Sequence, residues 1–565
     1  MSNYSKWLWD SGLSEDQNSA SPRGRRRNPA SINEPVSVDQ IKNRTGGYVH
    51  QIDPTKQFDR FLILGSDKNT FHATAKELSV ENIKNAEVVI KSLGKTAVDR
   101  IIDISQSGRA FKNDPAILAL AIAASLGGKN PTRGEIEVRK YALANLPLVC
   151  RTGTHLFLFA EYVKKMRGFG RSLKEGISNW YLSKEQKNLA FQVLKYQQRN
   201  GWSHRDLLRL SHPTTSDRVF NSIFKYITKK EAPSVNSRSH AALRYIDAYE
   251  KMKAATTEND VARLVMEYSF PEECIPSEMR TPGVLETIIY DKNEKGFYTA
   301  GMTWLIRNLG RFSEKGMLGR GSQLEKFLVE RFNDTGFIKY SRIHPMTILI
   351  ALKTYSTGRG RRGSLTWTPN AEVLEAMDSM FYKSFDAIEA TGKRYLLGVD
   401  VSASMSWTNN QMYQDYGITP REAAAVMAMV SAKTEKKSFT VGFSTTLVDL
   451  NINPNMILVE VIEALSKVPM GATNIGAPVE AALRSGEEFD VFIGYTDNDG
   501  NRGKQPAELI KAYREKTGID AKLIMCAFTA TNYSVADPND PGMFDIVGFD
   551  PAIPSIISAF ATNRF

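Results

Sequence analysis

RYLLGVDVSASMS, Arg394 to Ser406, is an apolar run that ends in one aspartate and three serines. Its first seven residues have the composition of a buried strand. Downstream, TPREAAAVMAMVSAKT reads as a helix, KSFTVGF as a strand, and NMILVEVIEALSKV and IGAPVEAALRSG as helices. DVFIGYTD and AKLIMCAFTA read as strands, with the helix QPAELIKAYREKTG between them. Strand alternating with helix predicts a doubly wound parallel sheet with helices on both faces, an α/β domain over 391–565.

In such a sheet ligands gather at the carboxyl ends of the strands. Asp400 ends one strand and Asp497 another, Ser402 and Ser404 follow at alternate positions, and Thr473 precedes a helix in PMGATNIGAP. Two carboxylates and three hydroxyls form an all-oxygen set suited to a hard cation such as Mg²⁺. The alternative is a set of loop caps holding no metal. All seven histidines lie outside this domain, which argues against zinc and leaves no base to activate a nucleophilic serine. The set Asp400-x-Ser402-x-Ser404, then Thr473, then Asp497, resembles the metal-ion-dependent adhesion site of von Willebrand factor A domains. That resemblance implies a divalent ion with one position open to a partner's carboxylate. Asp499 stands where the pattern usually has Gly.

Upstream the rhythm is helical. Segments of about 12–20 residues carry apolar positions at a spacing of three to four between Gly, Pro and capping residues. Examples are SVENIKNAEVVIKSLG, NDPAILALAIAASLGG, with Asp114 placed to cap and Pro115 in the first turn, and THLFLFAEYVKKM. Ser183 with Gln186, and Ser203 with Asp206, have the spacing of capping boxes. So many helices without strands over 41–390 predict stacked pairs, an irregular α-solenoid. Residues 1–40, with SASPRGRRRNPAS, have little to bury and are expected to form a disordered basic extension.

Charge divides along the same boundary. The 565 residues carry a net charge of +11. Residues 396–565 hold 13 Lys and Arg against 20 Asp and Glu, leaving 60 against 42 in the rest. A basic body suits a polyanion, of which nucleic acid is the commonest, though a solvated surface gives the same count. Its basic residues concentrate in KKMRGFGRSLKEG, with Lys164, Arg167, Arg171 and Lys174, and in NGWSHRDLLRLSH. At 100° per residue, Arg205, Arg209 and His212 fall within about 40° of one direction, nearly opposite Leu207 and Leu210. His204 opens that helix, where backbone N–H groups favour phosphate. Phe169, Trp180, Tyr181 and Trp202 are candidate stacking groups.

The stretches QIKNRTGGYVHQID, TGTHLFLF, KYQQRNGWSHRDLLRLSH, RIHPMTILIALKTYSTG and TGKRYLLGVDVSASM resemble the Ro autoantigen family, whose body is the TROVE module. The resemblance runs from about residue 40 to the C-terminus. It implies a ring of HEAT-like helical repeats closed by the A domain, small noncoding Y RNAs on the outer surface, and single-stranded 3′ ends of misfolded RNAs in the central hole. Bacterial members of the family work with a 3′ exonuclease. The family's Y RNA contacts map onto Lys164, Arg167, Arg171, Lys174, His204, Arg205 and Arg209.

Two rival readings differ in class. A metal-dependent protein-interaction module would leave the basic body incidental. An Mg²⁺-dependent hydrolase usually carries more carboxylates around two ions, and no GxxxxGK[ST] loop is present for nucleotide hydrolysis. No apolar run approaches the roughly 20 residues of a membrane span, and Cys150, Cys274 and Cys526 follow no metal or disulfide spacing, so a cytoplasmic location is expected.

Overall fold

The computed structural model describes residues 28–564, apart from 66–74, 232, 234–239, 293–295, 297, 361–363, 386–389, 407–417, 451, 530 and 550. The RGRRR stretch of the N-terminal extension lies outside the described residues. Helices follow one another from Pro54–Leu64 to Ala371–Lys383, most of them packed on helices close by in sequence. The apolar run NDPAILALAIAASLGG forms the helix Asp114–Ser125, buried on nearly every side. Such all-round burial explains why it lacks a polar face. Asn113, not Asp114, precedes that helix, and the Asn113 side chain donates to the Val149 carbonyl instead of capping. No helix among the described residues is long and apolar enough to cross a membrane.

The helical run returns on itself. Arg342 Nη1 donates to the Gln106 carbonyl at 3.1 Å, and His344 Nε2 lies 3.2 Å from the Arg109 carbonyl. Residues 236 apart are thereby joined.

Two short strands interrupt the expected all-helical body: β1 (Gln40–Lys42) and β2 (Tyr48–Gln51). A second hairpin, Gln198–Arg199 with Trp202–Ser203, lies further on. The α/β domain contributes β3 (Arg394–Asp400), β4 (Lys437–Phe443), β5 (Leu447–Val448), β6 (Val491–Thr496), β7 (Lys522–Ala527), β8 (Tyr533–Ser534) and β9 (Met543–Val547). Its sheet has the order β9-β7-β6-β3-β4-β5, parallel except for β5. The first strand, β3, is central, and the chain moves to β4 on one side and later to β6 on the other. The switch point therefore lies between the carboxyl ends of β3 and β6, where Asp400 and Asp497 stand.

β8 leaves that sheet and pairs antiparallel with β2, giving a three-stranded β1-β2-β8 sheet across the two parts of the molecule. Residues 28–40 are not a loose tail. Ile32 is fully buried, its N–H donates to the Gly503 carbonyl at 3.0 Å, and Gln505 N–H donates to the Ala30 carbonyl at 2.9 Å. Fully buried Ile32 and Val49 are what hold this arm down: about 25 cal/mol per Å² of apolar surface removed from water favours docking. The Arg60 guanidinium, 2% exposed, bonds the Thr531 and Tyr533 carbonyls and the Asp545 carboxylate. At the far end of the helical run, Lys353 Nζ lies 2.8 Å from both Glu422 oxygens, and Asp378 accepts from Leu458 N–H at 2.7 Å. The α/β domain thus grips the helical run at both ends.

Candidate nucleic-acid interface and metal edge

The helix Gly153–Met166 ends at Arg167, and Gly168 with φ +76° turns the chain into Arg171–Leu182. A positive φ is cheap for Gly and costly for a residue with a Cβ. Lys164 is exposed and sits 5.1 Å over the Trp202 ring. The Trp202 indole donates to Glu161 at 3.0 Å, and Phe169 packs on its ring at 5.3 Å. Trp202 therefore joins the first basic stretch to the start of the second. Arg167 is half-buried, donating to Ser172 Oγ at 3.3 Å, and burial lowers its pKa. Arg171 is exposed and paired with Glu175 at 3.2 Å, and Lys174 is half-exposed.

His204–Ser211 is a helix whose start is a full capping box: Ser203 Oγ accepts from Asp206 N–H, and Asp206 accepts from Ser203 N–H at 3.0 Å. Leu207 and Leu208 are buried, while Arg205 and Arg209 are exposed and form no ion pair among the described residues. These two guanidiniums are solvent-facing cations on one helix, and Lys164 and Arg171 are exposed on the preceding basic stretch. The helix Arg171–Leu182 meets the helix His204–Ser211 through Tyr181 and His204.

Four expectations are corrected here. His204 does not face solvent: it is 2% exposed, with Nδ1 2.8 Å from the Tyr181 hydroxyl and its ring 4.8 Å from Phe157 and 6.3 Å from Trp180. Burial pushes its pKa down to about 4, so the ring is neutral and helps hold the helix start in place. Trp180, Tyr181 and Trp202 are core side chains, not stacking platforms. His212 is exposed but stands past the last helical turn with φ +48°, so it does not continue the Arg205–Arg209 face. Ser183 and Gln186 form no capping box either. Ser183 still belongs to the end of the preceding helix, Glu185 caps the next one, and Gln186 donates to Asp217.

At the switch point of the sheet, five candidate metal residues are buried, none more than 5% exposed. Asp400 accepts from Ser402 N–H at 2.9 Å and from Thr496 Oγ1 at 2.5 Å. Ser402 Oγ lies 3.1 Å from Ser404 Oγ. Ala403 N–H donates to the Gly471 carbonyl at 3.1 Å, which pins the Thr473 loop beside the two serines. Asp497 accepts from Asp499 N–H at 3.0 Å. Burial, then the charge of Asp497, raises the Asp400 pKa to about 7. Asp499, absent from the motif as read in sequence, is raised to about 7 for the same reasons and accepts from the Tyr533 hydroxyl at 2.6 Å.

Buried carboxylates with like charges close by are a poor arrangement without a cation among them. The donors are hard oxygens, which fits Mg²⁺. Among the described residues no trio of His, Cys, Asp or Glu is placed to hold a metal, so the hydroxyls of Ser402, Ser404 and Thr473 would have to complete the set.

Comparison with known proteins places this architecture. The TROVE domain model matches residues 41–287 and the Ro60 vWA domain model matches 394–561, so the chain is a TROVE protein with a C-terminal von Willebrand factor A domain. It belongs to the Ro60 family. The chain is 34% identical over 527 residues to RNA-binding protein RO60 of Deinococcus radiodurans, covering 93% of this chain and 96% of that one. It is 32% identical over 599 residues to RNA-binding protein RO60 of Caenorhabditis elegans, covering 94% of this chain and 91% of that one. The crystal structure of the D. radiodurans RO (RSR) protein superposes with a TM-score of 0.66 at 33% identity, over 91% of this chain and 100% of that chain. The helices here continue to Lys383, well past the end of the TROVE match.

Proposed function

We propose that this chain is a noncatalytic RNA-binding protein of a Ro ribonucleoprotein. It holds small structured RNAs of the Y RNA kind on the surface around Arg205 and Arg209, with Lys164, Arg167, Arg171 and Lys174 adding charge. Single-stranded 3′ ends of misfolded RNAs enter the closed helical run, which gives the protein a part in noncoding-RNA quality control in the cytoplasm, beside a 3′ exonuclease. The exposed Arg205–Arg209 face, which forms no ion pair among the described residues, carries this reading. Lys and Arg on a rigid helix meet phosphates without reordering. The names of the relatives support the same partner class.

A divalent ion, Mg²⁺ by the chemistry of its donors, is the second element of the proposal. Asp400, Ser402, Ser404, Thr473 and Asp497 would hold it, and it would offer a coordination position to a carboxylate on a partner protein. The five side chains shape an oxygen-lined, water-poor edge for it.

Sequencing of RNA that copurifies with the protein from its own cells tests the RNA reading. Enrichment of one or a few small structured RNAs over the input pool is the expected result. Recovery at background level would leave the metal edge as the only candidate interaction site and contradict the reading.

A further inference from the structure

We infer that residues 43–47 of the N-terminal arm are positioning residues for the metal edge, which is completed across the domain junction and not by the α/β domain alone. This rests on the metal reading above.

The loop 497–503 serves both ends of the site. It begins with Asp497. Its Asn501 and Arg502 N–H groups donate to the Thr473 carbonyl at 3.1 Å each, and Asn501 Oδ1 accepts from Thr473 N–H at 3.2 Å. One short loop therefore sets the place of a carboxylate and a hydroxyl ligand together. Asn498 within it has φ +68°, the left-handed region that Asn enters more readily than most residues with side chains.

What holds the loop from outside is the arm. Asn43 Nδ2 donates to the Gly500 carbonyl at 2.8 Å and to the Asn498 carbonyl at 3.3 Å. Thr45 Oγ1 donates to the same Gly500 carbonyl at 3.1 Å. Gly47 packs so closely that a Cβ there would lie 2.3 Å from the Gly500 oxygen. Gly500 and Asn498 are buried, so these carbonyls have no solvent to turn to when the arm lets go. More than 450 residues separate the two sides of each bond, so nothing but folding brings them together. Groups that orient metal ligands from behind typically alter metal affinity about 10–100-fold when removed. Coupling of this kind is reciprocal: the ion must steady the arm by the factor by which the arm steadies the ion.

Titration calorimetry of Mg²⁺ and Mn²⁺ into the full chain tests the inference, using wild type, Asn43→Ala, Thr45→Val and Gly47→Ala. Circular dichroism and melting identify which variants are folded. Asn43→Ala and Gly47→Ala should each weaken metal binding about tenfold, with a smaller loss for Thr45→Val. A merely structural tether would lower the melting temperature and leave the affinity of the folded protein unchanged. Hydrogen exchange on unmodified protein gives a second readout. Mg²⁺ should slow exchange at residues 40–51 in wild type and leave it unaltered in Asp400→Ala. Wild-type binding matched by folded Asn43→Ala and Gly47→Ala, or no metal effect on exchange at 40–51, would overturn the inference alone. No metal uptake by wild type would overturn the metal reading, and the inference with it.

Discussion

At the scale of the residue, burial decides what a side chain can do. His204 opens a helix in a basic stretch, a position that in the bare sequence suits a phosphate ligand. The structure turns its ring inward between Phe157, Trp180 and Tyr181. Nothing in a linear pattern tells whether the first residue of a helix points in or out when both neighbours are polar. Burial holds the pKa of His155, His204 and His344 at about 4, against 6.5 for an unburied ring. A lowered pKa means the folded state refuses protons that the unfolded chain accepts. The stability these neutral rings contribute is therefore complete above pH about 6.5 and is lost as pH falls toward about 4. Urea unfolding between pH 7 and 4.5 should show this decline, and His204→Gln should flatten it by up to about one proton, or ~1.4 kcal/mol per pH unit. A slope unchanged in that variant would mean His204 is already charged in the fold.

The strands of the α/β domain follow directly from sequence at the scale of the element. RYLLGVD and KSFTVGF are β3 and β4 to the residue, because both are apolar runs too short and too β-branched or aromatic for a helix. β1 and β2 escape that reading. Three and four residues cannot establish a period, and the partner strand β8 lies more than 480 residues away. The two capping patterns show the limit of short motifs. Ser203 and Asp206 satisfy one another, whereas Ser183 is still within the preceding helix and Glu185 takes the cap. Ser203→Ala should cost ~1 kcal/mol of stability and Glu185→Ala a similar amount, with Ser183→Ala near neutral, as measured by denaturant midpoints. A loss for Ser183→Ala equal to that for Ser203→Ala would contradict the assignment of caps.

At the scale of the whole molecule the proposed reading divides the labour between a basic helical run for RNA, an acidic α/β domain for a cation, and a clasp between them. The charge partition and the Asp400–Asp497 edge are legible in the order of the residues. The clasp is not, because Ile32, Asn43 and Arg60 find their partners only after the chain has closed on itself. Asp400→Ala in the full chain should abolish the rise in melting temperature produced by Mg²⁺, since it removes one of two carboxylate ligands. RNA affinity in the same variant should stay within twofold of wild type, and a large loss would mean the two sites are not separate. The central claim, that the Arg205–Arg209 face binds RNA phosphates, is tested most directly by salt titration of a small structured RNA against wild type and the Arg205→Gln/Arg209→Gln double variant. Gln keeps the helix propensity and leaves the buried leucines in place. Each phosphate contact contributes about 0.9 to the slope of log affinity against log salt. The account predicts weaker binding and a slope shallower by up to about two in the folded double variant, whereas equal affinities and equal slopes for the two proteins would contradict it.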